Sequence, residues 1–412
     1  MYEYILIFLK RPILKEISWY MVGQIGVQIF AFLGVLTTAR YLGPINIGLY
    51  SFVQNYLLAF MSVLGSMEFY FSWKIAKSEN RIHDLREYVW HKFYITLITI
   101  IVGVMVAWAV LPRDVAVLST ILFTPFILGS TSGFYSYAIA FKNAKLVAIS
   151  QFISSLLILL TKIFFVKIKA PLMDFVAIGA IEVVLLTIIL TIFYLRDKEI
   201  RQELFKNSFP NINKTFHFMY SIRASLVVIV LWQLIVRVDQ FVLALLTNAY
   251  SLGIYAVAVK IAEVPNFFGS IMYTALISRV SIFADKEDKD SKLRIRKVLL
   301  TYFAIGTFFA IGIIITAPIL VHILYGAKFI EATPVLRSYA LSIPGMFLCL
   351  HYFAIYGAKG KHFHQSIIFF LGIIINVVFM YLLTPIMGLV GAALSTSLAY
   401  SFVALSFYFH AK

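Results

Sequence analysis

Twelve apolar stretches follow one another along the chain, separated by short polar intervals. They cover residues 17–39, 48–70, 93–111, 115–140, 146–167, 172–195, 219–246, 253–277, 299–322, 334–357, 364–383 and 387–409. A helix needs about 20 residues to cross the hydrocarbon of a bilayer, and each stretch meets that need. Backbone amides that face lipid find no water to bond, so every stretch is predicted to be helical. No polar interval exceeds about two dozen residues, which leaves no room for a soluble domain. The pattern predicts an all-α, polytopic membrane protein with 12 transmembrane helices.

Charge orients these helices. The N-terminal segment, 71–92, 141–145, 196–218, 278–298, 358–363 and the C-terminus hold 25 of the 35 Lys and Arg residues. The opposite set of loops holds Arg40, Arg113, Lys167, Lys169 and Lys328. Positive residues favour the cytoplasmic side, which places both termini there. Lys10, Arg11 and Lys15 precede a stretch long enough to span and without a small-x-small cleavage site, so no cleaved signal peptide is expected.

Composition agrees and removes alternatives. The 412 residues are 61% hydrophobic and 13% charged. The net charge of +16 would suit nucleic acid, but loop cations on the cytoplasmic side account for it, and no nucleic-acid partner is expected. The single cysteine, Cys349, excludes an internal disulfide and a cysteine metal site. No metal-ligand spacing, phosphate-binding glycine loop or nucleophile motif appears. No cofactor, no metal and no catalytic residue is therefore expected, and the chain should not be an enzyme.

The halves repeat weakly. Gly48-Leu49-Tyr50-Ser51 returns as Gly253-Ile254-Tyr255-Ala256, 205 positions later. Further on the offset is 214: Lys145 matches Lys359, Gln151 matches Gln365, Pro171 matches Pro385, and Met173 matches Met387. Two lobes of six helices are expected, 1–195 and 219–412, joined by a basic cytoplasmic linker at 196–218. Substrate should bind between such repeats.

Five cations remain inside the apolar stretches: Lys162, Arg223, Arg237, Lys260 and Arg337. Charge at that depth costs several kcal/mol and usually marks function. Residues two apart on a helix point roughly 200° apart, so Arg237 and Asp239 cannot share a wall. Gln233 lies one turn from Arg237, and Arg223 falls near the same face closer to the cytoplasm. Lys260, Glu263 and Asn266 form a second polar stripe, and Pro265 should loosen that helix. The first lobe offers Gln24 and Gln28, one turn apart, then Lys162 and Glu182. The expected cargo-facing set is Arg237, Arg223, Lys260, Gln233, Gln24, Gln28 and Lys162. Arg223 and Lys162 could instead snorkel to the membrane surfaces. Asp239, Glu263 and Glu182 are expected either to couple transport to protons or sodium or to brace their helices.

The residues then carry a resemblance. ARYLGPINIGLY (Ala39–Tyr50), VRVDQFVLALLTNAYSLGIYAVAVKIAE (Val236–Glu263) and GLVGAALSTSLAY (Gly388–Tyr400) resemble segments of the Wzx-type polysaccharide flippases of the MOP exporter superfamily. On that resemblance Arg40, Gly43 and Gly48 match a first signature, and Arg237, Asp239, Gly253 and Tyr255 a second. It implies two six-helix lobes with a MATE-like arrangement, alternating access, and residence in the bacterial inner membrane. It implies as cargo an undecaprenyl-pyrophosphate-linked oligosaccharide, such as an O-antigen repeat unit, and as pathway partners polymerase and chain-length proteins. Anionic lipid headgroups are the expected surroundings. A multidrug exporter and a lipid II flippase of the same superfamily remain alternatives. A membrane oligosaccharide polymerase would need a sizeable external loop, and the external loops here are short.

Overall fold

The computed structural model describes residues 12–140, 143–206, 212–273 and 289–410. Lys10 and Arg11, residues 207–211 of the expected linker, and residues 274–288, with about half of the basic loop at 278–298, lie outside the described residues.

Among the described residues the chain is helical and contains no strand. In order the helices are α1 (Pro12–Lys77), α2 (Arg81–Val110), α3 (Arg113–Phe123), α4 (Gly133–Ala140), α5 (Ala144–Lys167), α6 (Leu172–Tyr194), α7 (Lys198–Leu204) and α8 (Ile212–Ser221). There follow α9 (Arg223–Leu246), α10 (Ala249–Ala262), α11 (Lys289–Tyr325), α12 (Ala332–Ala340), α13 (Ile343–Ala358), α14 (His362–Met387) and α15 (Leu389–His410). Asparagine and aspartate side chains start several of them. Asn80 accepts from the backbone of His83, Asp197 from Glu199, and Asn248 from Ser251.

Nine described helices are long and apolar enough to cross a membrane, or up to eleven when two bent pairs count as one span each. The first, Met21–Ser72, has 52 residues, roughly 78 Å of helix and more than twice the hydrocarbon thickness. It breaks at Gly43, whose φ of 74° and ψ of 177° lie outside helical geometry, and so accounts for two of the expected stretches.

The structure departs from the hydropathy pattern at several points, most of them beside a proline or glycine. Residues 40–47, expected as a loop, are helical on both sides of Gly43. Pro44 opens the next helix, where its missing N–H costs nothing. The fourth stretch is interrupted by a 3-10 segment, Thr124–Ser132, that begins beside Pro125. The sixth stretch bends by 41° between Glu182 and Val184, and the tenth by 42° between α12 and α13, just before Pro344. The seventh starts at Arg223 rather than 219, because α8 ends at Ser221. The helix of Lys260 stops at Ala262 and restarts beyond Glu263, next to Pro265.

The chain divides into two compact units. Residues up to Tyr41 with Tyr56–Leu226 form the first; Leu42–Asn55 with the residues from Val227 onward form the second. In the first unit the stretch expected as a linker carries α7 and α8, which dock on α2. Glu203 takes Arg86 at 3.2 Å, the Trp90 indole donates to the Leu204 carbonyl, and His91 contacts Thr215 at 2.8 Å while stacking on Phe218. These contacts tie both short helices to α2.

In the second unit a core around Tyr352, Phe369 and Phe407 packs α9, α13, α14 and α15. Segment 42–55 is held there by two devices. Asn55 donates its amide to Gln240, both buried, at 2.5 Å. Gly48 and Gly253 cross with no side-chain space: a Cβ on Gly48 would overlap the carbonyl of Ala249, and one on Gly253 the carbonyl of Pro44. Pro44 and Ala249, like Gly48 and Gly253, are 205 positions apart, so the contact is reciprocal between matched positions of the repeat.

Candidate functional site

Three charged side chains meet in the second unit. Arg237 reaches Glu263 at 3.2 Å, and Lys260 reaches the other oxygen of Glu263 at 3.4 Å. Two cations thus share one carboxylate, and the group keeps a surplus positive charge. Their side chains are 13% (Arg237), 17% (Glu263) and 32% (Lys260) exposed. The break beyond Ala262 puts Glu263 at the end of α10, one turn past Lys260 on the same face. Among the described residues two buried atoms here have no protein partner: Arg237 Nε and, on the same polar stripe, Asn266 Oδ1. Such groups ordinarily find water or a ligand. Gln233, one turn before Arg237 on α9, is half-buried.

Asp239 points elsewhere. It is fully buried, accepts from the Tyr255 hydroxyl at 2.8 Å and the Gln240 backbone at 2.8 Å, and lies 3.5 Å from the Thr396 hydroxyl. It forms no ion pair among the described residues.

In the first unit Lys162 neither lines an open surface nor snorkels outward. It is 2% exposed and pairs with Glu182 at 2.6 Å, since an ammonium buried between α5 and α6 requires a counter-charge. Gly34 makes room: a Cβ there would stand 3.2 Å from the Lys162 side chain. Glu182 is thereby consumed as a partner. Gln24 donates to the Tyr135 hydroxyl at 3.4 Å and is half-buried; Gln28 is exposed. Arg223 is held by its own neighbour Tyr220. It is exposed, lies over the Tyr220 ring at 3.8 Å and donates to the Tyr220 carbonyl at 2.8 Å. Arg40 is exposed beside the Gly43 kink.

Two arrangements depart from what the hydropathy pattern predicts. Lys92, assigned there to a cytoplasmic loop, is buried against Glu68 and Ser132. Arg337 donates from Nε to the carbonyl of Ile314 at 3.2 Å. That carbonyl lies four residues before Pro318, which has no N–H to offer it, so the guanidinium supplies the missing donor. A proline inside an apolar stretch with an arginine on a neighbouring helix was the available signal. Among the described residues no cluster of three His, Cys, Asp or Glu side chains could hold a metal ion.

With this geometry the chain can be set beside known proteins. No curated protein sequence matches it. Its fold is shared with the lipid II flippase MurJ in an inward closed conformation, at TM-score 0.76 and 16% identity, over 96% of this chain and 87% of that one. It is shared equally with a multidrug resistance MATE family transporter of the MOP superfamily, inward-facing, at 0.76 and 12%, over 95% and 97%. A MOP superfamily transporter from Pyrococcus furiosus matches at 0.65 and 13%, over 97% and 94%. At such identities these likenesses show the fold alone, and the nine to eleven apolar helices among the described residues make it that of a multi-pass membrane protein. The polysaccharide biosynthesis protein family matches residues 13–283, about two thirds of the sequence, and the chain belongs to that family.

Proposed function

We propose that this protein flips a polyprenyl-pyrophosphate-linked oligosaccharide from the cytoplasmic to the outer face of the bacterial inner membrane, by alternating access, for surface polysaccharide such as O-antigen. The carrying observation is the surplus cation of the Arg237–Glu263–Lys260 group, with a guanidinium nitrogen left open. A pyrophosphate is the anionic part of such a cargo, and guanidinium and ammonium are its natural partners. A cationic drug would be repelled there, which weighs against multidrug export. Lipid II export is the second reading, supported by the fold shared with MurJ; this chain spans 87% of that protein. Polymerase and chain-length proteins of the same pathway are the partners this function would call for.

Arg237→Gln tests the site. It should abolish surface polysaccharide and cause the undecaprenyl-linked oligosaccharide to accumulate, by mass spectrometry, while protein level in the membrane stays unchanged. Normal polysaccharide in that strain would remove Arg237 from the site. Accumulation of lipid II instead would favour the second reading.

For coupling, Asp239 is the better-placed carboxylate, because Glu263 and Glu182 are each occupied by cations. Export in inverted vesicles should then respond to an imposed proton or sodium gradient, and Asp239→Asn should lose that response. Indifference of the wild type to both gradients would sink the idea.

A further inference from the structure

Glu68, on α1 in the first unit, is held by one oxygen only. Lys92 and Ser132 both donate to its Oε1, Ser132 at 2.6 Å. The Lys92 side chain is 3% exposed, whereas that of Glu68 is 40% exposed. Two donors on one oxygen fix the plane of the carboxylate, and Oε2 has no protein partner among the described residues. This differs from Glu263, whose two oxygens are both taken, and from Asp239, which is sealed.

Lys92, which holds Glu68, lies over the Tyr88 ring at 6.0 Å, and that ring is closely packed. Phe71 stacks on Tyr88 with centroids 3.9 Å apart, and Gly133 leaves no space beside the Tyr88 ring. The face in front is open. Gly65 and Ser72, three before and four after Glu68, share its side of the helix and are both exposed. A Cβ on Gly65 would meet nothing within 4 Å. A carboxylate turned to hydrocarbon would cost several kcal/mol, so this face meets water. By the distribution of loop cations it lies at the cytoplasmic end of its span, where a cargo made in the cytoplasm loads.

We propose that Glu68 Oε2 accepts hydrogen bonds from sugar hydroxyls of the cargo, making Glu68 a residue that selects for the glycan. This rests on the flippase reading above. Hydroxyl donors are the complement of an ionised, pre-oriented carboxylate, and hydrogen bonds to a charged group are the stronger kind. A carboxylate repels phosphate, so the contact discriminates the glycan from the pyrophosphate that carries it.

The test uses the full chain in nanodiscs and two probes. One is undecaprenyl pyrophosphate; the other is the same lipid bearing the oligosaccharide extracted from a strain lacking this protein. The wild type should bind the glycan-bearing lipid about tenfold more tightly than the bare one. Glu68→Gln should lose that increment and bind the bare lipid unchanged. Retention of the increment, or equal weakening toward both lipids, would overturn the proposal and leave Glu68 a brace. Wild-type protein that binds neither lipid would overturn the flippase reading and this inference with it. Should Glu68→Gln leave Lys92 unpaired and the protein unfolded, Glu68→Gln with Lys92→Met removes the buried pair together and is read by the same criteria.

Discussion

Breaking the Lys162–Glu182 pair from either side should have unequal consequences. The ion pair spans 2.6 Å, with the Lys162 side chain 3% exposed and that of Glu182 27% exposed. Glu182→Gln leaves an ammonium almost wholly out of water, a loss of about 3 kcal/mol. Lys162→Met leaves a carboxylate that water reaches, and about 1–2 kcal/mol is expected. The double variant removes both charges and should fall within about 1 kcal/mol of the wild type, since an apolar replacement of a buried pair is often neutral. For a unit of about 200 residues, 3 kcal/mol corresponds to roughly 6–12 °C in melting temperature. Thermal unfolding of the four proteins in one detergent, followed by fluorescence-detected size exclusion, gives the cycle. A larger cost for Lys162→Met than for Glu182→Gln, or a double variant that loses the sum of the two, would refute the unequal burial of the pair.

Two further outcomes are expected. Gly253→Val should lower the yield of monodisperse protein sharply, at a cost of about 3 kcal/mol or more, because the clash is with a backbone carbonyl that no rotamer avoids; a normal yield would refute the close crossing. Arg337→Met should cost about 1 kcal/mol and become nearly silent on a Pro318→Ala background, where the backbone again supplies a donor to Ile314; equal cost on both backgrounds would detach Arg337 from the proline.

What the sequence could reveal depended on range. The spans were legible because bilayer thickness imposes about 20 apolar residues on each, whatever its neighbours. The repeated Gly48 and Gly253 were legible as a pattern, though not as a backbone crossing. The Lys260–Glu263 pair, three apart on one face, was legible too; ion pairing between helices was not. Lys162 and Glu182 are 20 residues apart on different helices, and Arg237 and Glu263 are 26 apart, so neither falls within one helix face. Arg223 was placed by helical phase carried from Arg237 back to the very first residue of that helix, and phase cannot register that Tyr220, outside the helix, captures the guanidinium. Lys92 looked like a loop cation because the span was drawn from hydropathy, which cannot register a lysine neutralised from two other segments. Gly43 and Pro44 announced a break, yet the chain resumes helix at once, and only backbone geometry separates a kink from a loop.

The allocation of segment 42–55 bears on how the protein is made. Gly48 leaves the ribosome 205 residues before the glycine it crosses, an interval of roughly 10–40 s at ordinary rates of synthesis. During that time Gly48, at the start of the second span, has no helix laid against it. The second unit therefore begins with chain inserted early and closes only when α10 arrives. Gene fragments cut at the basic linker would each lack a piece of a finished body. They should give a functional protein only when co-expressed, with the early fragment waiting in the membrane for the late one.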